Sequence, residues 1–212
     1  MRRPCTMLAV LAALGTLSGI FAGPAVAGSH MEIGVQDDQV LVDQYWYGRT
    51  AGLAAARQLH ATWIRANLPW AAALTGGAAN KRKRPKRLVY DVSRWDNLVD
   101  AAAAQGIRVE LTLTGPSPRW ATAKGRGGPF APRLSDWRDF VRRMTTHFKG
   151  RVSRYEIWNE PNYVGWLQPL RESPYIYRGL YETAWSTIHK TDPGAQVLIG
   201  DTSPYVVAHK AW

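Results

Sequence analysis

The apolar positions of the chain repeat with two different periods. Short runs in which every second residue is apolar are typical of strands, and longer stretches with apolar residues three or four positions apart are typical of helices. The clearest strand is the third, because Val109, Leu111 and Leu113 alternate with polar residues. The predicted strands are 31–36, 61–67, 107–114, 152–158 and 196–200, and the predicted helices are 48–60, 93–105, 134–148 and 173–192.

The regular alternation of strand and helix predicts an α/β fold with parallel strands and right-handed crossovers. Such a sheet is either open and doubly wound or closed into a barrel. No glycine-rich phosphate loop of the GxGxxG or GxxxxGK[ST] type follows any predicted strand. Aromatic and polar side chains follow the strands instead. This favours a barrel, in which the loops after the strands gather on one face.

The most informative stretch is Tyr155-Glu156-Ile157-Trp158-Asn159-Glu160-Pro161-Asn162, at the end of the fourth predicted strand. Pro161 has no backbone N–H and disfavours a helical conformation at the residue before it, so we expect Glu160 to occupy an extended corner. The loop after a strand is where α/β folds place reactive groups. The alternative is that Glu160 only caps the next helix and that Trp158 packs inside the barrel.

The segment 156–162 closely resembles the fourth barrel strand of the clan of retaining glycoside hydrolases with (β/α)8 folds, especially families 39 and 5. In that clan the Glu of the Asn-Glu pair is the general acid/base, and the Asn binds the substrate hydroxyl next to the reacting carbon. The resemblance implies these roles for Glu160 and Asn159. Five further residues on strands or in the loops after them are predicted to bind substrate: Asn67, Trp120, Trp158, Asn162 and Trp166.

Arg65 lies in the second predicted strand, and the clan carries an arginine on its second strand near the catalytic carboxylates. The resemblance therefore adds Arg65 to the predicted substrate-binding residues. A charged residue inside an apolar strand is costly to bury alone, so we expect a carboxylate or amide partner for it. A purely structural arginine in the barrel lumen fits the sequence equally well.

The length of the chain sets a limit on this resemblance. Eight β/α units need roughly 250 residues, whereas the sequence holds four units and one further strand. It predicts the N-terminal part of a (β/α)8 TIM barrel over 28–212, truncated after about the fifth strand. The clan takes its nucleophile from a Glu on the seventh strand, which implies that this sequence lacks the nucleophile and is inactive alone. The sugar, the linkage, endo or exo cleavage, and the choice between families 39 and 5 stay open.

The first 27 residues have the pattern of a secretory signal peptide. A charged start at Arg2 and Arg3 precedes an apolar run and a small-x-small cleavage site at 25–27. The sequence therefore predicts a secreted, extracellular protein, and no later stretch is apolar enough to predict a membrane span. Cys5, the one cysteine, lies inside this segment, so we predict neither disulfides nor thiolate metal sites.

The net charge of +11 comes largely from one segment, because 81–87 supplies six positive charges. A basic run in a Gly- and Ala-rich loop is usually a solvated, mobile tip, so nucleic-acid binding is not predicted. The five histidines show no paired spacing, and we predict no metal and no cofactor. The ten Trp and nine Tyr residues suit sugar binding but are equally large core residues.

Three functions follow from these patterns. The leading one is a hydrolase that cleaves O-glycosidic bonds of a polysaccharide or oligosaccharide by a retaining double displacement. The second is a secreted, non-catalytic carbohydrate-binding protein on a degenerate barrel. The third is a binder of anionic polymers through residues 81–87. Carbohydrate is the expected partner in the first two, and the sequence does not predict an oligomeric state.

Overall fold

The five predicted strands form one parallel sheet in the computed structural model, which describes residues 31–46 and 48–205. They lie side by side in chain order, whereas a doubly wound sheet reverses its strand order partway. The predicted α/β fold of the barrel type is therefore confirmed, as a partial barrel wall of five strands. The strands are β1 (Gly34–Gln36), β2 (Trp63–Pro69), β3 (Arg108–Thr114), β4 (Arg154–Ile157) and β5 (Gln196–Ile199).

The four predicted helices are present, and two short helices were missed. Asp37 starts the first short helix by accepting a hydrogen bond from the Val40 backbone N–H at 3.1 Å. The second short helix opens the segment 71–90, which was predicted as a loop. The helices are α1 (Asp38–Leu41), α2 (Arg49–Gln58), α3 (Trp70–Ala73), α4 (Ser93–Ala103), α5 (Leu134–Phe148) and α6 (Ser173–Thr191).

The two faces of the sheet differ in chemistry. The outer face of β3 carries Leu111 and Leu113, which are fully buried in the hydrophobic core with the helices. The inner face carries a row of charges, because Glu110 is in register with Arg65 on one side and Arg154 on the other. The oxygens of Glu110 lie 4.0 Å and 3.9 Å from these two guanidinium groups. The strand periodicity thus separates an apolar core from a polar lumen.

A cluster of aromatic rings fills the core beneath the loops that follow β2, β3 and β4. Trp137 of α5 lies 5.4 Å from Trp158 and 6.0 Å from Trp70, measured between ring centroids. Trp70 stacks on Phe140 at 5.1 Å and contacts Trp120 edge-on at 5.7 Å. Each of these side chains is at most 2% exposed.

This burial corrects two sequence predictions. Trp120 and Trp158 were expected to bind substrate, but both residues are at most 2% exposed. Large rings stabilise the fold most when their whole surface leaves water. A ring packed in this way has no open face for a sugar.

Arg84, in the middle of the basic segment 81–87, forms ion pairs with α5. Arg84 lies 2.8 Å from a carboxylate oxygen of Asp139 and 3.3 Å from one of Asp136, both on α5. Its guanidinium also lies over the ring of Trp120, 5.5 Å from the centroid. The prediction of a mobile tip is therefore wrong at Arg84, because α5 supplies partners that the local sequence does not contain.

Several sequence predictions concern residues that the structure does not describe. The signal peptide (1–27) with Cys5 lies outside the described residues, as do His30 and His209. Within the described part, no helix is both long enough and apolar enough to cross a bilayer.

Candidate active site

The residues after β4 adopt an unusual backbone conformation. Trp158 has φ 68° and Glu160 has φ 43°, so both lie in the left-handed region of backbone conformation, which residues other than glycine rarely adopt. The predicted extended conformation at Glu160 is therefore wrong. Packing maintains the turn, because the ring of Trp158 is buried and its Nε1–H donates to the Trp166 carbonyl at 3.0 Å. Left-handed residues of this kind often mark functional sites.

Arg65 of β2 is the centre of the polar cluster on the inner face. Its Nε donates to Glu156 Oε2 at 2.5 Å, and its Nη2 donates to Asn159 Oδ1 and Asp201 Oδ1, each at 3.0 Å. Nη1 donates to the side-chain oxygen of Gln36. The prediction that Arg65 has carboxylate and amide partners is confirmed. One side chain thus joins β1 and β2 with the ends of β4 and β5.

Arg65 also fixes the orientation of Asn159. A guanidinium only donates hydrogen bonds, so the amide of Asn159 faces it with its oxygen. The Asn159 Nδ2 group therefore points elsewhere, and among residues 31–46 and 48–205 it has no hydrogen-bond partner. The Asn159 backbone N–H donates to Thr114 Oγ1 at 3.0 Å, which ties the residue to the end of β3. The arrangement leaves the NH2 group of the amide, with two donor hydrogens, available to a ligand.

Glu156 is the main site residue that the sequence did not identify. Its carboxylate is buried and accepts from Arg65, from Thr112 Oγ1 at 2.5 Å and from the Asp201 backbone N–H at 2.8 Å. With these donors on its oxygens, Glu156 is an anchor for Arg65. The sequence held one signal for it: a carboxylate inside a strand, and an arginine in another strand that needed a partner.

The segment after β5 lies directly against the end of β4. Asp201 Oδ1 accepts from the Glu160 backbone N–H at 3.3 Å. A side chain at Gly200 would bring a Cβ into contact with the Trp158 carbonyl and to 2.6 Å from the Ile157 carbonyl, so the close approach requires glycine. The Gly200 N–H donates to the hydroxyl of Tyr177 at 2.6 Å, and burial raises the pKa of Tyr177 to about 12.

Two further carboxylates have raised pKa values, Glu110 on the inner face and Asp38 at the start of α1. Burial raises the pKa of Glu110, and the nearby negative charge of Glu156 raises it further. Burial also raises the pKa of Asp38, although Asn67 donates to it from its backbone N–H at 3.0 Å and from Nδ2 at 2.8 Å. Carboxylates with raised pKa values in a polar lumen are a frequent feature of active sites.

Glu160 itself is half-buried at the carboxyl end of β4. Its carboxylate makes no hydrogen bond or ion pair with any residue that the structure describes. It is therefore neither a helix cap nor part of a surface ion pair. Nor do three carboxylate, imidazole or thiol groups converge on a metal-binding position anywhere in the described ranges.

The structure places the predicted site residues in different environments. The structure brings Arg65, Asn159 and Glu160 together, and it places Asn67 two residues beyond Arg65 on the same strand face, held by Asp38. Trp120 and Trp158 lie in the core, as described above. Trp166 is half-buried, and its ring stays a predicted contact for substrate.

Asn162 is exposed and joins two loops, and its predicted contact with substrate stays a prediction. Its Nδ2 donates to the Ser203 carbonyl at 2.9 Å, and its Oδ1 accepts from the Ser203 N–H at 2.8 Å. Both polar ends of the amide are therefore used to join the loop after β4 to the segment after β5.

Comparisons with known proteins identify glycoside hydrolases, the same class of enzyme that the motif resembles. No protein-family model matches the chain. A Beta-1,4-xylanase from Dictyoglomus thermophilum is 28% identical over 123 residues, which are 55% of this chain and 34% of the xylanase.

Two solved structures show the fold. The GH39 enzyme from Xanthomonas axonopodis pv. citri superimposes with a TM-score of 0.55 at 22% identity, over 79% of this chain and 34% of that enzyme. The GH5-4 broad specificity endoglucanase from Clostridium acetobutylicum superimposes with a TM-score of 0.60 at 15% identity, over 82% of this chain and 55% of the endoglucanase.

The chain thus spans about a third to about half the length of these proteins. The resemblance that the segment 156–162 implied is confirmed: the chain is similar in sequence to a xylanase, and its five-stranded wall has the fold of the GH39 and GH5 glycoside hydrolases.

Proposed function

We propose that this protein hydrolyses O-glycosidic bonds of a polysaccharide or oligosaccharide, with Glu160 as the general acid/base. The observation that carries the proposal is the juxtaposition at the end of β4. There Glu160 follows an asparagine whose amide oxygen is held by Arg65. The sequence similarity to a xylanase supports it.

Each residue has a distinct part in the proposed reaction. Protonated Glu160 donates its proton to the glycosidic oxygen as the bond to the leaving group breaks, and as a carboxylate it later takes a proton from the attacking water. Asn159 Nδ2 donates to the sugar hydroxyl next to the reacting carbon. An amide is neutral at every pH, so this contact does not disturb proton transfer at Glu160. Arg65 positions Asn159.

A retaining mechanism needs a second carboxylate about 5 Å from the first, as the nucleophile. Glu156 does not suit this role, because three donors already occupy its oxygens. We propose that the nucleophile comes from a barrel strand beyond the five described here, as the resemblance implies. We also propose that residues 1–27 direct secretion, so that the protein meets its polysaccharide outside the cell.

Substrates with different leaving groups test the role of Glu160. A general acid matters most when the leaving oxygen is a poor leaving group. In the protein encoded by the whole reading frame, Glu160→Gln should therefore lower kcat/KM for oligosaccharides by roughly 10²- to 10⁴-fold. The loss should be much smaller for a dinitrophenyl glycoside, which needs no proton. Azide should restore turnover of that activated substrate, because it attacks the glycosyl-enzyme without a general base.

The matched control is Glu182→Gln, which removes an exposed carboxylate on α6 and should leave both rates unchanged. Equal losses on both substrates, or no loss, would rule out the acid/base assignment. Oligosaccharide binding without any turnover by the wild-type protein would instead favour the non-catalytic carbohydrate-binding function.

A further inference from the structure

A second polar feature lies on the same edge of the sheet as Glu160. A cavity of about 470 Å³ opens between the loop after β2 and the loop after β3. Asn80 contributes from the first loop, and Ser117, Arg119 and Arg126 contribute from the second. The Ala71 N–H donates to the Pro116 carbonyl at 3.1 Å, which joins the two loops. Because both loops follow the carboxyl ends of parallel strands, the cavity faces the side on which barrels bind their ligands.

The cavity carries positive charge without a compensating acid. Arg119 Nε donates to the Gly125 carbonyl at 2.8 Å, and the Arg126 guanidinium lies 4.6 Å from the Phe130 ring centroid. These contacts orient the two guanidinium groups but leave their charge unpaired, since neither forms an ion pair with a described residue. No Asp or Glu is among the residues that line the cavity.

Neighbouring arginines, unlike the two in the cavity, form ion pairs with carboxylates. Arg84 and Arg133 both lie within ion-pair distance of Asp136, and Arg143 lies 2.9 Å from Asp139. Those side chains hold the loops and α5 together. The two arginines of the cavity form no such ion pair with a described residue, so their charge is available to a ligand.

The wall of the cavity is rigidly built. Ser117 is 2% exposed, and its Oγ has no hydrogen-bond partner among the described residues. The backbone of Ser117 exchanges hydrogen bonds of 2.7 Å and 2.9 Å with Gly128. Gly127 has φ 68°, and a Cβ there would lie 3.0 Å from the Arg119 Cα, so only glycine fits. The loop thus places an unsatisfied hydroxyl near two guanidinium groups whose charge is unpaired among the described residues.

We propose that this cavity binds the carboxylate of an acidic sugar unit, and that the substrate is therefore an acidic polysaccharide or oligosaccharide. A guanidinium matches a carboxylate with two parallel hydrogen bonds. The exposed basic residues of 81–87, which begin beside Asn80, add a long-range attraction for a negatively charged chain. The inference rests on the proposed function for the position of the reacting bond at Glu160.

Nucleic acid shares the negative charge but fits the cavity less well. Binding of single strands relies on aromatic rings on which bases stack. No aromatic residue lines this cavity, and the guanidinium of Arg126 covers the nearby ring of Phe130. A sugar carboxylate needs no stacking surface, because a guanidinium binds it through charge and two hydrogen bonds.

The test compares affinities by titration calorimetry on the full chain. The ligands are an oligogalacturonate, a neutral xylo-oligosaccharide of the same length, sodium sulfate and a single-stranded oligonucleotide. Arg119→Gln combined with Arg126→Gln should weaken oligogalacturonate binding roughly tenfold or more and leave the neutral sugar unchanged. The control combines Lys81→Gln with Arg82→Gln, which removes the same charge outside the cavity lining and should change affinity much less.

Arg126→Gln alone provides a second variant, because this exposed side chain makes no hydrogen bond in the described structure and its loss should not impair folding. The proposal is overturned if the control weakens binding as much as the cavity variant, or if the acidic sugar binds no more tightly than the neutral one. Equal affinity for sulfate or for the oligonucleotide overturns it as well. Since the readout is binding and is independent of turnover, failure of this test can be distinguished from failure of the acid/base test at Glu160.

Discussion

Arg65 shows how one residue determines the geometry of the candidate site. Its side chain is 16% exposed, and the Glu156 side chain to which it donates is 5% exposed. Removing two charges from water is costly, and the ion pair offsets this cost only when further hydrogen bonds satisfy both groups. The amide of Asn159 and the carboxylate of Asp201 supply such bonds to Arg65. The same bonds orient the amide beside Glu160.

The first prediction concerns the stability that this residue provides. Arg65→Met would leave the Glu156 carboxylate buried without its cationic partner, so the free energy of unfolding should fall by about 3–5 kcal/mol. Urea denaturation followed by tryptophan fluorescence measures this change. Arg142→Met is the control, because it breaks an exposed pair with Asp139 that should be worth less than about 1 kcal/mol. Similar losses in the two variants would contradict the role of Arg65.

The second prediction concerns Glu110 and pH. Burial and the charge of Glu156 raise its pKa above the ordinary value of about 4.5, so the native state binds this proton more tightly than the unfolded chain. Glu110 therefore lowers stability progressively as the pH rises from about 4.5 through the raised pKa, and the penalty is absent below that range.

Glu110→Gln removes this penalty. The stability of the variant relative to the wild type should increase as the pH is raised from about 4 to about 7, in urea denaturation at several pH values. Glu182→Gln, on the exposed face of α6, should give a flat difference over the same range. A flat difference for Glu110→Gln as well would show that burial does not perturb this carboxyl group.

At the level of elements, the contact between the ends of β4 and β5 leaves the least room for a larger side chain. The two strands pair in register from Arg154 with Gln196 to Ile157 with Ile199, and then Gly200 passes directly beneath the carbonyls at the end of β4. This close approach brings Asp201 within reach of Glu156 and Glu160. The glycine is therefore as important for the site as the charged residues.

The third prediction tests that contact. Gly200→Ala would force a methyl group against the backbone oxygens of Ile157 and Trp158, so β5 must shift, at a cost of about 1–3 kcal/mol. Thermal unfolding measures the loss. Gly194→Ala is a matched control, because a Cβ there meets nothing within 4 Å and stability should change by less than about 0.5 kcal/mol. Equal midpoints for the two variants would contradict the close packing.

At the scale of the whole molecule, the central strand of the five-stranded wall has more backbone hydrogen bonds than the two edge strands. β3 pairs with a neighbour on each side along most of its length, whereas β1 has three residues and β5 has four, each with one neighbour in the described sheet. Edge strands open more easily than central ones because fewer hydrogen bonds must break.

The fourth prediction follows from this difference. In native-state hydrogen exchange, the amides of β3 should exchange at least about tenfold more slowly than those of β1 and β5. The helices α5 and α6 provide an internal reference on the packed outer face. Protection of β5 equal to that of β3 would instead indicate that a further strand covers its outer edge.

What the sequence determined by itself was local. The alternation of Val109, Leu111 and Leu113 with polar residues was sufficient to predict β3, and the spacing of apolar residues predicted α5, because burying one face of an element imposes its period on the sequence. The motif that contains Asn159 and Glu160 located the candidate site at the end of β4. Periodicity and a short motif are enough for such features, since each depends on neighbours in the chain.

The tertiary structure alone decided which groups meet. Arg65 and Glu156 are 91 residues apart, and nothing in either segment specifies the other. The buried ring of Trp158, the left-handed backbone at Glu160 and the use of Asn162 to hold Ser203 follow from packing between distant segments. Each residue takes the partner that leaves the fewest buried polar groups unsatisfied and the least apolar surface in water, and that choice exists only once the whole sheet has formed.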